Sequence, residues 1–354
     1  MKYFVVEGDT SNGKFNATSK AREDAETILI KMNFKQFEIR TLNRIRESKL
    51  LKIFQYIGYY KNFLIWKSAI KKLKENDIVV IQYPLINTIF FLKKILILLN
   101  KKKVKSIALI HDLDSLRLSE AGGFRKKRSD YEDHEVLKLF TNVISHNEKM
   151  TEILAKFNVK RKNVVELSLF DYITDDEIDI KNRGCKKPVI IAGNLSSFKA
   201  RFLKDLYKLK GVNFNLYGKG LDIEISNNIK YKGSYLPSEL CKNLCGSFGL
   251  VWDGNSIDGL DGPFGTYMKY NNPHKLSLYL ASKLPVIVSK ESALSKLVIE
   301  NNIGIAIESL KDLEKEIKKI DESKYAAMMK NVNKISKKIR NGMYLEKAIN
   351  TVIK

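Results

Sequence analysis

The sequence predicts an α/β fold made of two Rossmann-like, doubly wound domains. Apolar runs of strand length alternate with helical stretches in the first half of the chain, and the same alternation starts again in the second half. Strands and helices that alternate in this way form parallel sheets with helices on both faces. The length of 354 residues also suits two domains of ordinary size. Because parallel sheets bind ligands at the carboxyl ends of their strands, we expect the active site in a cleft between the two domains.

The predicted elements set the expected domain boundaries. Strands are predicted near Lys2–Val6, Phe37–Arg40, Asp77–Tyr83, Lys105–His111, Asn142–Ser145 and Asn163–Leu167, and then near Pro188–Ala192, Asn213–Tyr217, Ile229–Tyr231, Phe248–Trp252, Leu284–Val288 and Gly304–Ile307. Helices are predicted around Ala17–Met32, Leu50–Leu73, Asn87–Leu99 and Glu148–Phe157. The charged, poorly periodic segment Asp171–Lys187 indicates a linker. We expect an N-terminal domain over 1–170, a C-terminal domain over 171–325, and C-terminal helices over 326–354 that pack back on the N-terminal domain.

The net charge of the chain is strongly positive, at +23 with a pI near 9.6. A charge of this sign suits nucleic acid, an anionic membrane surface or a polyanionic ligand such as a sugar nucleotide. The lysines are spread through helices, and no zinc-finger, basic-zipper or ribonucleoprotein signature accompanies them. Nucleic acid is therefore not expected as a partner.

The cysteines, the N-terminus and the apolar runs of the sequence predict the cellular compartment of the protein. Cys185, Cys241 and Cys245 are an odd set without a metal-binding pattern, which favours reduced thiols and a cytoplasmic protein. The N-terminus runs directly into a predicted strand and lacks the features of a signal peptide. The most apolar region, Ile78–Leu99, is interrupted by proline, asparagine and a lysine pair, so a spanning helix is not expected.

The stretch Pro263–Val288 carries the strongest local signal for a ligand. Glycine and proline predict a loop, a helix is expected to begin near Asn272 with Pro273 in its first turn, and Leu284–Val288 predicts a buried strand. The N–H groups at the helix start and the ammonium of Lys275 form a seat for an anion. The alternative is a surface loop followed by an ordinary core helix.

Two earlier loops of the second half point to the same kind of ligand. Gly193 and Asn194 follow a strand, at the place where a phosphate-binding turn is expected. Gly193 permits close approach of the backbone, and Lys199 supplies a point charge for a phosphate. Tyr217 and Gly218 end the next strand and are predicted to border a base. Together these residues predict a phosphate-bearing ligand in the C-terminal half.

Ionisable residues follow the fourth predicted strand of the first half. Such groups at the end of a buried strand are costly unless they are paired or face a cleft. We therefore expect His111, Asp112 and Asp114 to be catalytic, with a carboxylate that takes a proton from an acceptor hydroxyl, and Arg117 to contact acceptor or donor. The alternative is that Asp112 caps the next helix and His111 is a core residue with its hydrogen bonds made.

A polar, glycine-bearing loop follows the first strand and contains Asn16 and Lys20. Its backbone N–H groups suit a phosphate or a sugar, so Asn16 and Lys20 are predicted to contact donor or acceptor. The loop has neither Gly-x-Gly-x-x-Gly nor the phosphate-loop pattern, which disfavours a dinucleotide-dependent dehydrogenase and a nucleoside triphosphatase. The alternative is a mobile surface loop.

Taken in order, these segments resemble bacterial glycosyltransferases of the GT-B architecture. The resemblance is closest to galactofuranosyltransferase-like enzymes and to the related streptococcal glucosyltransferases that extend adhesin glycans. It lies in Ile110-His-Asp112, Gly193-Asn-Leu-Ser-Ser-Phe-Lys199, Gly249-Leu-Val-Trp-Asp253 and Tyr270–Val288, which span most of the chain. It implies that a UDP-sugar sits mainly on the second domain, with Lys199 and Lys275 nearest the pyrophosphate.

The resemblance also bears on further contacts and on mechanism. Asn272 and His274 lie in its most specific motif and are expected to contact the UDP-sugar. Many retaining GT-B transferases carry two glutamates eight positions apart before the strand that here begins at Leu284, whereas this sequence has Asp258 and Asp261. We therefore expect an inverting reaction that needs no cofactor and no metal, in which lysine side chains stabilise the departing UDP.

The resemblance thus implies a hexosyltransferase that moves galactofuranose from a UDP-sugar to a growing cell-surface glycan. A glucosyltransferase that uses UDP-glucose on a glycan or glycoprotein is the alternative within the class, and a non-catalytic partner of a second glycosyltransferase is the alternative outside it. Two lysine-rich helical segments, Lys49–Trp66 and Asn87–Lys103, either lie on the inner face of an anionic membrane near a lipid-linked acceptor or simply cover the first sheet. A homo-oligomer also stays open.

Overall fold

The computed structural model of the chain describes residues 1–7, 17–39, 49–87, 90–118 and 123–354. The chain divides into two compact units. The first consists mainly of Arg22–Leu167 with Leu345–Lys354, and the second consists mainly of Ser168–Tyr344, with Lys20 assigned to it as well. Each strand that the sequence predicts overlaps a strand of the structure, so the predicted α/β class is confirmed.

The first unit is built on one parallel sheet. Its strands are β1 (Lys2–Glu7), β2 (Lys35–Ile39), β3 (Ile78–Tyr83), β4 (Lys105–Ile110), β5 (Asn142–Ser145) and β6 (Val164–Glu166). They lie in the order β2-β1-β3-β4-β5-β6. The helices are α1 (Ala17–Lys31), α2 (Lys49–Lys72), α3 (Leu92–Lys101), α4 (Asp114–Arg117), α5 (Gly123–Tyr131) and α6 (Glu148–Lys156). Because helices cover the sheet, β3 is buried along its whole length.

The second unit repeats this plan with a different strand order. Its strands are β7 (Val189–Asn194), β8 (Phe214–Lys219), β9 (Ile229–Tyr231), β10 (Gly249–Val251), β11 (Val286–Ser289) and β12 (Gly304–Ile307). They lie in the order β12-β11-β10-β7-β8-β9, all parallel. The helices are α7 (Pro237–Asn243), α8 (Gly262–Tyr267), α9 (His274–Ala281), α10 (Ser295–Glu300), α11 (Leu313–Lys318), α12 (Glu322–Arg340) and α13 (Met343–Ile353), the last belonging to the first unit from Leu345 onward. Short 3-10 turns lie at Leu137–Leu139, Arg161–Asn163, Ile180–Asn182, Arg201–Lys208 and Leu310–Asp312.

The helix α2 covers the first sheet, as one of the two interpretations of its lysine-rich sequence predicts. Trp66 and Ile70 are buried on its inner side, and the Trp66 ring meets Phe37 of β2 edge-on at 5.1 Å. In the part of the chain that the structure describes, no helix is both long and apolar enough to cross a membrane.

The structure differs from the sequence prediction before and within α9. A loop is predicted from Pro263 onward, but the structure has α8 there, with Pro263 in its first turn, where the missing N–H has no partner to lose. The helix α9 begins at His274 with Pro273 as its N-cap. It is buried on nearly all sides, because β10, β11, α7 and α12 all contact it.

Tyr279 fixes α9 to the second sheet. A Cβ at Gly249 would stand 2.1 Å from the Tyr279 ring, so the ring occupies the space that a side chain on β10 would need. The buried Tyr279 hydroxyl accepts a hydrogen bond from the Ala192 amide of β7 at 2.7 Å. One side chain therefore holds α9 against two neighbouring strands.

The segment Asp171–Lys187, predicted as a linker, packs into the second unit. Tyr172 belongs to the core of this unit. Arg183 is buried, and its guanidinium donates hydrogen bonds to the carbonyls of Ser282 and Leu244. One of the charged residues that indicate a linker is therefore buried and hydrogen-bonded. Composition alone does not distinguish such a residue from an exposed one.

Candidate functional site

The carboxyl ends of β7 and β10 meet at the topological switch point of the second sheet, where open α/β sheets bind ligands. Gly193 and Asn194 end β7, Gly218 pairs beside them on β8, and Asp253 follows β10. Gly193 and Gly218 have φ angles of 128° and 145°, which L side chains rarely adopt. A Cβ on Gly218 would stand 1.8 Å from the Gly193 carbonyl oxygen, while the space beside Gly193 is open. This edge of the sheet therefore has room for a ligand against the backbone.

Asp253 is the centre of charge at this edge. Its side chain is 7% exposed, with Oδ1 2.7 Å from Nζ of Lys275 and Oδ2 3.7 Å from Nζ of Lys199. Lys275 also donates to the Trp252 carbonyl at 3.0 Å. Burial lowers the pKa of Lys275, an effect that the neighbouring Asp253 opposes. Because a buried charge is tolerated only when it is paired, Lys275 and Asp253 hold each other in place.

The two lysines predicted for the pyrophosphate thus share one carboxylate but differ in exposure. Two ammonium groups and one carboxylate leave a net charge of +1. The Lys199 side chain is 34% exposed and that of Lys275 is 15% exposed. The excess charge is therefore presented mainly by Lys199.

An aromatic pair that the sequence analysis missed lies next to Lys199. Nζ of Lys199 is 5.9 Å from the centre of the Phe264 ring, and Phe198 contacts that ring edge-on at 5.9 Å. Phe198 is 83% exposed. An exposed phenyl ring beside a cation offers a flat apolar surface to a ligand that carries both a ring and a phosphate.

Side-chain hydrogen bonds fix the loop between β7 and Lys199. Oδ1 of Asn194 accepts a hydrogen bond from the Ser196 amide at 2.9 Å. The carboxylate of Asp222 accepts hydrogen bonds from the amide and hydroxyl of Ser197 at 2.9 and 2.8 Å, and these bonds lower its pKa. The loop that places Lys199 therefore has a defined backbone.

Two residues predicted to contact the UDP-sugar are buried in the second unit. Nδ2 of Asn272 donates to the Ser168 carbonyl at 2.7 Å. The Tyr217 ring lies in the core, and its hydroxyl accepts a hydrogen bond from the Cys245 amide at 3.1 Å. The Tyr217 ring thus packs inward, and the prediction that Tyr217 and Gly218 border a base stays a prediction.

His274 and Lys20 lie beside the same ring in the second unit. The centre of the His274 ring is 5.2 Å from that of Tyr172, and Nζ of Lys20 is 4.8 Å from the Tyr172 ring. Burial and the nearby Lys20 lower the pKa of His274 to about 4, while a hydrogen bond to the Asp171 backbone opposes this shift. Within the described residues, Nε2 of this neutral imidazole has no hydrogen-bond partner. It is an acceptor suited to a hydroxyl group.

The first unit brings the predicted acidic residues together where β4 leads into α4. Nη1 of Arg117 lies 2.6 Å from Oδ2 of Asp112, and Nη2 lies 2.7 Å from Oδ1 of Asp114. The two carboxylates are 21% and 16% exposed. The N-cap of α4 is Leu113 and makes no side-chain bond, so the interpretation of Asp112 as the helix cap is wrong.

His111 is buried at the end of β4 and takes part in a chain of hydrogen bonds. Its Nε2 lies 2.7 Å from Oε1 of Gln82, and Nε2 of Gln82 donates to Glu26 at 3.1 Å. Burial raises the pKa of Glu26 to about 7. This placement agrees with the alternative interpretation of His111 as a core residue, because the imidazole is buried and hydrogen-bonded to Gln82.

The sequence analysis missed two buried carboxylates next to Asp114. Glu132 and Asp133 open a π-helical turn, Glu132–Val136. Asp133 accepts hydrogen bonds from the Tyr83 hydroxyl and from the Ser115 amide, and so caps α4 from outside the helix. Burial raises the pKa of Asp133 to about 6 and that of Glu132 to about 8. In the sequence these acids look like part of an exposed polar helix, and the turn that directs them inward has no local signature.

The predicted site residues thus fall into one polar edge in each unit. Lys199 and Lys275 meet at the switch point of the second sheet, and Asp112 and Asp114 meet at Arg117 in the first unit. Asn16 lies outside the described residues. The roles assigned to these residues, and a reaction without metal or cofactor, stay predictions.

Two family models match nearly the whole chain. The N-terminal domain of the glucosyltransferase 3-like family matches residues 3–169, and its C-terminal domain matches residues 189–352. The chain is 33% identical to beta-1,6-galactofuranosyltransferase WbbI of Escherichia coli (strain K12) over 286 residues, which are 79% of this chain and 80% of that protein. It is 26% identical to glucosyltransferase 3 of Streptococcus parasanguinis over 282 residues, 78% of each chain.

Two solved structures share the architecture. The lipopolysaccharide outer core galactosyltransferase WaaB in its apo form matches with a TM-score of 0.60 at 10% identity, over 100% of this chain and 99% of that chain. An alpha-glucosyltransferase in complex with UDP and a 13-mer DNA matches with a TM-score of 0.58 at 13% identity, with the same coverage. At such identities the likeness shows the fold alone, and it confirms the predicted GT-B architecture.

Replacing Glu132 by Gln is expected to stabilise the protein at pH 8 and to change it little at pH 5. The folded state raises the pKa of Glu132 from its ordinary value of 4.5 to about 8, so the stability that the protonated carboxyl contributes is present below pH 4.5 and is lost as the pH rises through 8. Because Gln copies the neutral carboxyl, and each unit of the shift from 4.5 to about 8 is worth about 1.4 kcal/mol, the free energy of unfolding should rise by about 4 kcal/mol at pH 8. Urea unfolding at both pH values measures it.

The neighbouring Glu135→Gln variant is the matched control, because Glu135 is exposed and pairs with Lys138. It should show no gain at pH 8. A Glu132→Gln protein that is no more stable than the wild type at pH 8 would contradict the assignment of a buried, protonated carboxyl.

Proposed function

The chain belongs to the glucosyltransferase 3-like family of glycosyltransferases, and on that premise we propose that it transfers galactofuranose from UDP-galactofuranose to a growing cell-surface glycan. The charged group of Asp253, Lys199 and Lys275 at the switch point of the second sheet carries the proposal of a UDP-sugar donor. The higher identity to WbbI supports galactofuranose over glucose. UDP-glucose is the second candidate donor.

In the proposed complex, the UDP pyrophosphate lies beside Gly193, where the structure leaves open space. Lys199 supplies the exposed positive charge. Lys275 neutralises Asp253, whose carboxylate would otherwise repel a phosphate. The uracil ring would lie against the exposed Phe198, since base and phenyl rings stack favourably.

The proposed reaction inverts the anomeric centre and needs no metal. An acceptor hydroxyl attacks the anomeric carbon, the bond from that carbon to the UDP oxygen breaks with its electron pair on UDP, and the hydroxyl proton passes to a carboxylate. Asp112 and Asp114 are the candidate bases, and the Arg117 guanidinium, which pairs with both, holds them in place. The charge that grows on the departing diphosphate is stabilised by Lys199, as a divalent ion does in metal-dependent enzymes.

The purified chain is expected to release UDP fastest from UDP-galactofuranose. A sugar site shaped for a furanose ring leaves the hydroxyl groups of a pyranose poorly paired, which lowers the transfer rate. UDP release from UDP-galactofuranose, UDP-galactopyranose and UDP-glucose measures the preference. A faster reaction with UDP-glucose would favour the second donor, and neither UDP binding nor UDP release with any donor would favour a non-catalytic partner.

Lys199→Ala is expected to weaken UDP binding about tenfold, since it removes a charge-assisted contact to a phosphate. Lys210→Ala is the matched control, because Lys210 is an exposed lysine that precedes β8 and so lies at the opposite edge of the same sheet. Calorimetric titration with UDP measures both affinities. Unchanged UDP affinity in Lys199→Ala and in Lys275→Ala would remove the pyrophosphate assignment.

The role of Lys275 can be separated from that of Lys199 with a double variant. Lys275→Met alone leaves Asp253 with one weaker partner and should lower both stability and UDP affinity. Adding Asp253→Asn removes the unpaired charge. If Lys275 acts only by neutralising Asp253, UDP affinity recovers in the double variant, and if Lys275 contacts the pyrophosphate directly, it does not.

Asp112→Asn and Asp114→Asn are expected to leave UDP affinity unchanged, and the variant that removes the base should lower the transfer rate by about 100-fold or more. Asp130→Asn on α5 is the control in the same unit, because Asp130 pairs with Lys126 at the surface. Initial rates of transfer and calorimetric UDP affinities measure the two effects. Full activity in both Asp112→Asn and Asp114→Asn would mean that the base lies elsewhere.

A further inference from the structure

The outer side of α2 exposes a row of large apolar side chains. We call Phe54, Tyr56, Ile57, Tyr60 and Leu64 the aromatic face; each is between 43% and 64% exposed. Monomeric proteins rarely leave large apolar side chains exposed side by side unless the surface has a partner. The proposed sugar transfer does not account for this surface.

The aromatic face belongs to a helix that is firmly held. Phe63 stacks on Phe91 at 4.8 Å with the rings nearly parallel. The ammonium of Lys102 donates hydrogen bonds of 2.7 to 2.9 Å to the carbonyls of Ile70, Lys71 and Leu73, which closes the C-terminal end of α2. The aromatic face is therefore exposed although α2 is packed against the rest of the unit.

The charged residues of α2 and α3 themselves are all positive. The helix α2 contains six lysines and α3 contains three, and neither helix contains an Asp or Glu. The chain as a whole has 63 basic and 40 acidic residues, so a distribution of nine to none departs far from its composition. Lys61, Lys67 and Lys71 are exposed along α2, and Lys93 and Lys94 are exposed at the start of α3. A partner for this surface must therefore be anionic as well as apolar.

We propose that the aromatic face and its flanking lysines dock on an anionic lipid bilayer. Tyrosine and phenylalanine side chains favour the interface between headgroups and acyl chains, and lysines beside them reach lipid phosphates. A helix can lie in this interface without crossing the membrane. The inference goes beyond the proposed sugar transfer and does not rest on it.

The same observations argue against two other occupants. A second copy of this face would set lysine against lysine, because neither α2 nor α3 has an acidic residue to pair with them. A single-stranded nucleic acid would pair with the lysines and stack on the aromatic rings, but it would leave Ile57 and Leu64 exposed. A bilayer accommodates the charges, the rings and the aliphatic side chains together.

Sedimentation of the full chain with vesicles tests the proposal. The wild type is expected to sediment with vesicles of phosphatidylcholine mixed with phosphatidylglycerol at low salt, to leave them as salt rises, and to bind phosphatidylcholine alone much more weakly. Changing Lys61, Lys67 and Lys71 together to Glu should lower the partition coefficient about tenfold or more. The triple variant Phe54→Ser, Tyr60→Ser, Leu64→Ser should lower it at every salt concentration.

A control variant carries the same change of charge on another helix. Lys330, Lys334 and Lys337 are exposed on α12, and changing all three to Glu should leave most of the vesicle binding intact. Equal partition of the control and the two α2 variants would overturn the proposal, as would a wild type that does not sediment with anionic vesicles.

Two further measurements test whether a second copy of the chain or a single-stranded nucleic acid occupies the aromatic face instead. If the α2 variants change the oligomeric mass in analytical ultracentrifugation but not vesicle binding, the face belongs to a second copy and the proposal falls. If they abolish binding of single-stranded RNA but not of vesicles, the proposal falls as well. Circular dichroism and thermal unfolding of the same preparations show that each variant is folded. UDP affinity, measured beside vesicle binding, separates failure of this proposal from failure of the proposed sugar transfer.

Discussion

The attraction between one buried carboxylate and two lysines organises the switch point of the second sheet. Asp253 follows β10, Lys275 comes from α9 and Lys199 comes from the loop after β7. Tyr279 places α9 against both strands, so the Lys275 ammonium reaches Asp253 at hydrogen-bond distance. Three separate segments are thus held by one set of charges, and removing Asp253 or Lys275 leaves the other without its nearest partner.

Burying the charged Lys275 in this arrangement costs free energy, which an apolar side chain at the same position would not. Burial lowers the pKa of Lys275, which shows that keeping its ammonium charged works against desolvation. In return the group presents a positive charge that is in place before a ligand binds, which is the condition under which electrostatics stabilise a leaving group most effectively. Both carboxylate oxygens of Asp253 face ammonium groups, so neither is available to a divalent ion without displacing a lysine. That geometry supports a proposal in which lysines take the place of a metal.

The first unit has the opposite electrostatic character at its polar edge. Asp112 and Asp114 share Arg117, while the neighbouring Glu132 and Asp133 are buried with raised pKa values. The crowded acids are thereby divided into two that pair with an arginine and two that hold their protons more strongly because they are buried. The proposed reaction needs a cationic place for the leaving diphosphate and an anionic place for the proton of the nucleophile, and in the proposal each unit supplies one of these.

The sequence by itself determined the features that depend only on residues close together in the chain, above all the strands of the two sheets. Parallel strands that are covered on both faces are continuous apolar runs, and therefore the sequence predicts both sheets. Gly193, Lys199 and Lys275 lie in or after short glycine- or proline-bearing segments, so their positions in the chain could be singled out as well. Only the tertiary structure decided the partners of these residues: Lys275 meets Asp253 across 22 positions and Arg183 meets Ser282 across 99. The same holds for the inward ring of Tyr217 and for the two sides of α2, one packed on the sheet and one exposed. Whether a charge or a ring lies inside or outside depends on which distant segment packs against it, and no local pattern encodes that choice.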